Sequence, residues 1–137
     1  MRKIKTSTQI YLTTKILCYY VQEMIRDTIK NHADFAAREN DPIARCAFFL
    51  VRAKPAKFEN DARYGLIVTK KTFKHAVDRN RAKRLLRDWI AHNEKMMRPD
   101  WDYVFIARRD IQQADRLAGR VAMKKALNYL RKQNIDE

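Results

Sequence analysis

The chain has 137 residues, 46% of them hydrophobic, which is enough for one domain with a core of its own. Two glycines and three prolines exclude a low-complexity or linker-rich chain, and no period of roughly 20–50 residues marks a repeat architecture. Thirty lysines and arginines stand against 16 acids, a formal net charge of +14 that draws polyanions, nucleic acid first and anionic membrane second.

Cys18 and Cys46 are far apart in the sequence, which suits free thiols in a reducing compartment. There is no CxxC, and His32, His75 and His92 lack ligand spacing, which argues against a structural zinc site. The longest apolar run, Ile10 to Val21, carries Lys15 and falls short of the roughly 20 residues that span a bilayer.

Residues 1–24 differ from the rest. Arg2, Lys3, Lys5 and Lys15 meet no acid before Glu23. The composition is faintly that of a transit peptide. A frayed basic extension, or a start codon placed upstream of Met24, accounts for it more simply.

From residue 25 to 137 a single α/β domain is predicted. "DTIKNHADFAAREN", Asp27 to Asn40, has the composition of a short helix that Pro42 ends. "RCAFFLVRA", Arg45 to Ala53, is a strand. Phe48, Leu50 and Arg52 share its solvent-side face, and Ala47, Phe49 and Val51 the other. "RYGLIVTKK", Arg63 to Lys71, is a second strand, and the short connection predicts an antiparallel hairpin with the first. His75 to Met97 is helical, with Ala82, Leu85, Leu86, Trp89 and Asn93 on one arc. "YVFIAR", Tyr103 to Arg108, is apolar on both faces, as a covered central strand is. A closing helix spans Asp115 to Arg131, with Val121, Ala122, Leu127 and Leu130 buried and Ala118 and Ala126 closely packed. The order α-β-β-α-β-α predicts an α+β fold built as a two-layer α/β sandwich.

Charge is concentrated in one segment. Lys70 to Arg87 holds eight basic residues and one acid, Asp78, a net charge of +7. On a helix, Arg79, Lys83 and Arg87 line up at i, i+4, i+8, with Asn80 and Arg84 in the adjacent row, beside the apolar arc rather than on it. Like charges at this spacing oppose helix formation by a few tenths of a kcal/mol per pair. A polyphosphate backbone would relieve them: arginine forks bridge phosphate oxygens, Asn80 can both donate and accept, and the helix start adds partial positive charge near Lys70, Lys71 and Lys74. A helix packed on an aromatic sheet suits RNA or single strands better than the all-helical modules that read duplex DNA.

"VTKKTFKHAVDRNRAKRLLRD", Val68 to Asp88, resembles the signature of the bacterial ribonuclease P protein subunit. Its core is Arg79-Asn80-Arg81 followed by Lys83-Arg84 and Arg87. Lys70 and Lys71 after the Gly65-containing strand, "DYVFIARR" and the closing helix fit as well, and the similarity runs from about Thr28 to Leu130. The resemblance implies a left-handed βαβ crossover around the basic helix, an arrangement shared with a ribosomal protein domain and contrary to the usual handedness. It implies RNA contacts at Lys70, Lys71, Lys74, Arg79, Asn80, Arg81, Lys83, Arg84 and Arg87. The partner would be a catalytic RNA subunit that holds the magnesium and cuts precursor tRNA to give its mature 5′ end. No membrane or protein partner is required, and the setting is cytoplasmic. The implied cleft for the single-stranded 5′ leader is assigned Phe35, Phe48 and Arg52. The family's second cleft aromatic falls on Glu39 here, and Lys74-His75 replaces a frequent Gly-Asn.

Two other functions compete with this one. A free-standing protein nuclease needs clustered carboxylates or a histidine pair. The acids are scattered, with Asp78 and Asp88 on the basic helix and Asp100 and Asp102 flanking Trp101. A general RNA binder, ribosomal or chaperone-like, or a DNA binder, is permitted by charge and fold, whereas the motif points elsewhere.

Overall fold

The computed structural model describes residues 26–59 and 61–133. The expectation for residues 1–24 lies outside them. Five strands and two α-helices follow in the order β1 (Asp27–Thr28), β2 (Ile43–Arg45), β3 (Phe49–Pro55), β4 (Arg63–Ile67), α1 (Ala76–His92), β5 (Trp101–Ala107) and α2 (Arg116–Arg131). Short 3-10 turns lie at His32–Phe35, Glu94–Met96 and Arg109–Gln113. The sheet order is β1-β4-β5-β3-β2. β3 runs antiparallel to β5 and to β2, while β4 is parallel to both β5 and β1. The fold is therefore α+β, a mixed five-stranded sheet with both helices on one face. α1 supplies the crossover between the parallel neighbours β4 and β5.

β5 is central because almost every residue in it is apolar, and it is buried along nearly its whole length. Alternation does the rest. Phe49, Val51 and Ala53 of β3 and Tyr103, Phe105 and Ala107 of β5 face the helices and join the main core. α1 adds Ala82, Leu85, Leu86, Trp89 and Ile90 to it, and α2 adds Met123, Ala126, Leu127 and Leu130. Trp89 is fully buried between the rings of Phe48 and Phe49, at 5.8 and 6.1 Å. It reaches α2 only because position 119 is glycine: a Cβ there would lie 1.9 Å from the indole ring. Asn93 caps α1, its Nδ2 donating to the Trp89 and Arg120 carbonyls at 3.0 and 3.2 Å. Asp115 caps the start of α2 by accepting from the Ala118 amide at 2.8 Å.

Four expectations are corrected. The first helix is a single 3-10 turn, His32–Phe35, capped by Asn31. Its surroundings explain this: Lys54 Nζ donates to the Asp34 and Ala36 carbonyls and Arg52 Nη2 to the Phe35 carbonyl at 2.6 Å. Those carbonyls are unavailable to a continuing helix. Second, the strand expected over Arg45 to Ala53 is a hairpin in its own right, β2 turning at Cys46–Phe48 into β3, with Cys46 N donating to Phe49 O at 3.0 Å. Third, β3 and β4 do not pair with each other, because β5 lies between them. Fourth, Val121 is half exposed and Ala118 exposed, while Gly119 and Met123 take their place in the buried stripe of α2.

Candidate nucleic-acid interface

The cationic segment starts as the loop after β4. Phe73 N donates to Thr69 O at 2.9 Å, and the Thr69 and Thr72 hydroxyls meet at 3.1 Å, closing a tight turn. Phe73 is buried and pins the turn to the core, so Lys70 and Lys71 stand exposed at its tip. α1 then begins at His75, whose side chain makes no cap, and Ala76 and Val77 are exposed. Asp78 N donates to His75 O at 3.1 Å, which leaves the first-turn amides of Ala76 and Val77 beside Lys74 for an anion.

Burial of the Leu85–Trp89 side turns the opposite side of α1 to solvent. Asn80, Arg81, Arg84 and Arg87 are exposed, and Arg79 and Lys83 are half-buried at the margin. Among the described residues no carboxylate pairs with Lys70, Lys71, Lys74, Arg79, Arg81, Lys83, Arg84 or Arg87. Of the two acids on the helix, Asp78 makes no ion pair among the described residues, and Asp88 is drawn to α2, 3.2 Å from Arg120 Nε and 3.9 Å from Arg116 Nε, and is 3.6 Å from His92 Nδ1. Neutralisation thus occurs at the helix–helix seam and leaves the ridge charged.

Two members have internal contacts as well. Arg79 Nη1 donates to the Phe73 and Lys74 carbonyls at 2.9 and 3.1 Å, which fastens the loop to the helix. Arg79 therefore holds the shape of the ridge in addition to charging it, a role sequence reasoning did not assign. Arg87 lies beside Tyr64: burial pushes that phenol up, and the guanidinium's charge and hydrogen bond pull the other way.

The open face of the sheet carries a second constellation. Phe35 lies over Gly65, where a Cβ would be 2.4 Å from its ring, and Arg52 reaches the Phe35 carbonyl. Phe35 and Arg52 are thus brought together as expected. Phe48 is not with them. The Cys46–Phe48 turn puts it on the helix side against Trp89, so its grouping with the solvent-side face of the strand is corrected.

The cleft also contains groups that were missed. Arg63 binds Asp34 Oδ2 at 3.1 Å and the fully buried Asp102 Oδ2 at 3.0 Å. Lys57 binds Asp34 Oδ1 at 3.1 Å. Desolvation pulls the Arg63 guanidinium down, but the hydrogen bonds it donates to Asp102 and Asp34 outweigh it and hold it above its ordinary value. The hydrogen bond from Lys57, with that from Arg63, holds the Asp34 carboxyl below the usual carboxylate range against its desolvation. Phe58 stands 46% exposed with Arg63 4.9 Å and Lys57 5.5 Å from its ring centroid. The adjacent lysine and phenylalanine in "KPAKFENDA" were the available signal.

Among the described residues no three of His, Cys, Asp and Glu converge as a metal ligand set, and no helix is long and apolar enough to cross a membrane.

The family model for ribonuclease P matches residues 26–131. The ribonuclease P protein component of a Marinomonas strain is 36% identical over 107 residues, covering 77% of this chain and 80% of that protein. The counterpart in Pseudomonas aeruginosa is 47% identical over 49 residues, 36% of each chain. Among solved structures, the Staphylococcus aureus RNase P protein superposes with a TM-score of 0.63 at 25% identity, covering 74% of this chain and 93% of that one. The Thermotoga maritima RNase P protein shares the fold, with a TM-score of 0.56 at 21% identity over 66% and 84% of the two chains. With the family model spanning both the α1 ridge and the open-face cleft, the chain belongs to the ribonuclease P protein family.

Proposed function

We propose that this chain is the protein partner of a catalytic RNA and assists removal of the 5′ leader from precursor tRNA. The observation that carries the reading is the α1 ridge: eight cations between Lys70 and Arg87 with no carboxylate partner among the described residues. Such an array is unfavourable alone and favourable against a phosphate backbone. Lys70, Lys71, Lys74, Asn80, Arg81, Lys83, Arg84 and Arg87 contact the catalytic RNA directly, and Arg79 does so while bracing the loop.

Phe35 and Arg52, with Phe58 and Lys57 at the rim, receive the unpaired leader on the open sheet face. An aromatic ring beside cations suits a single strand, which offers both bases and phosphates. The RNA holds the magnesium and performs the cleavage. The protein's part is to bind, orient and screen charge, and it works in the cytoplasm without a protein partner.

The test is cleavage of precursor tRNA by purified chain, by catalytic RNA, and by both, at fixed moderate magnesium and ordinary salt. Cleavage that needs the RNA and rises with the protein supports the assignment. Robust cleavage by the protein alone refutes it. Equal binding to non-cognate RNA, without enhanced cleavage, makes the chain a general RNA binder instead.

A further inference from the structure

β2 and α2 enclose a groove of about 610 Å³, and none of the residues lining it belongs to the ridge. β2 is the edge strand of the sheet and only three residues long. Cys46 N and the Pro42 carbonyl bond toward β3, so by the alternation of an antiparallel pair the peptide groups of Ile43 and Arg45 face the groove. On the other wall, α2 presents a second stripe beside its buried one: Val121, Ala122, Lys125 and Tyr129. Val121 is 50% and Tyr129 53% exposed, large apolar groups that the core does not use.

The chemistry of the walls selects the occupant. Arg45 and Lys125 are exposed cations in the lining, and no acid lines the groove. A second copy of this chain, itself +14, would meet repulsion. An extended peptide would find only three residues of edge strand to pair with. An exposed tyrosine between cations over an apolar floor is the arrangement that holds an unpaired nucleotide, ring on base and cations on the flanking phosphates.

We propose that the groove between β2 and α2 is a second RNA site, in which one unpaired base stacks on Tyr129 while Arg45 and Lys125 take its phosphates. The site builds on the RNA-binding reading but not on the α1 ridge. Nothing in the family resemblance assigns these residues.

The test uses a ten-residue oligouridylate carrying 4-thiouridine, photocrosslinked to the full chain and mapped by peptide mass spectrometry. Crosslinks are expected at Tyr129 or the Cys46 peptide. They should persist in Arg81→Glu/Arg84→Glu, where the ridge is disabled, and disappear in Tyr129→Ala. In that ridge-disabled background, Tyr129→Ala should weaken oligonucleotide binding by roughly 5-fold or more, the range for loss of one base–aromatic stack. The oligonucleotide should also slow alkylation of the half-buried Cys46. Both Tyr129 and Lys125 are exposed, so thermal unfolding should not change and a folding defect would be visible separately. Crosslinks confined to residues 70–87 and to the open-face cleft around Phe35 and Phe58 overturn the groove site and leave the other two surfaces intact. A concentration-dependent dimer that Tyr129→Ala abolishes, or an acidic peptide that competes where RNA does not, also overturns it. Absence of any crosslink on the ridge, the open-face cleft and the groove would sink the RNA-binding reading itself.

Discussion

Replacing Arg81, Lys83 and Arg84 together with alanine separates binding from folding. None of the three has an ion pair among the described residues, and Arg81 and Arg84 are exposed. The substitution removes four like-charge pairs at i, i+4 (Arg79–Lys83, Lys83–Arg87) and i, i+3 (Arg81–Arg84, Arg84–Arg87) against two opposite-charge spacings (Asp78–Arg81, Arg84–Asp88), each worth about 0.2–0.5 kcal/mol, a net relief of about two pairs. Alanine's helix propensity adds slightly in the same direction. The variant should therefore be as stable as the wild type or more stable, by about 1 kcal/mol. Binding should move the opposite way. Each lost phosphate contact flattens the dependence of log affinity on log salt by about 0.7–0.9, so three flatten it by about 2–3. From about 50 to about 200 mM salt, the wild type should then lose roughly 20- to 40-fold more affinity for the catalytic RNA than the variant does. Fluorescence anisotropy across a salt series, with urea unfolding in parallel, measures both. An unchanged salt slope refutes the ridge as a phosphate surface. A stability loss above about 1 kcal/mol refutes the claim that these cations lack internal partners.

Gly119→Ala drives a Cβ to within 1.9 Å of the Trp89 ring. Overpacking of this kind should destabilise by about 3 kcal/mol or more, seen as a lower urea midpoint at unchanged m-value. Phe35→Ala should weaken binding of a precursor with a long 5′ leader more than that of mature tRNA, read by competition in the presence of the catalytic RNA; equal losses would make Phe35 a packing group only. Asp34, hydrogen-bonded by Lys57 and Arg63, titrates below its ordinary value in the folded chain. Its contribution is present above the unfolded carboxylate range and is lost as pH falls through the lower folded value. The stability gap between wild type and Asp34→Asn should be open at pH 6 and close towards pH 2, and a gap that widens on acidification would reverse the sign.

What local pattern determines could be read in the sequence, and what depends on distant partners could not. α1 was clear because Ala82, Leu85, Leu86 and Trp89 repeat at helical spacing, and β5 because it is apolar on both faces. The ridge was clear because no local pairing explains so many like charges. Residues 27–40 misled because their helix-favouring composition contributes only tenths of a kcal/mol per residue. Lys54, Lys57, Arg52 and Arg63, arriving from β3, β4 and the loop between them, claim Asp34 and the carbonyls of residues 34–36. The hairpin at Cys46–Phe48 contains no Gly, Pro, Asn or Asp to announce it, and it moves Phe48 to the helix side. Insertion of β5 between β3 and β4 is a non-local choice that the short connection concealed. The apolar residues of α2 were read as one stripe, when four of the six, Ala118, Val121, Ala122 and Ala126, line the groove against β2.

The central claim is that the outward side of α1 lies on the catalytic RNA. A photocrosslinker attached at Arg84→Cys, in the complex with catalytic RNA at ordinary salt, tests it most directly. A compact set of RNA crosslinks, competed by unlabelled protein and absent with unrelated RNA, is the predicted result. A complex that forms with full affinity while position 84 crosslinks to nothing would contradict it.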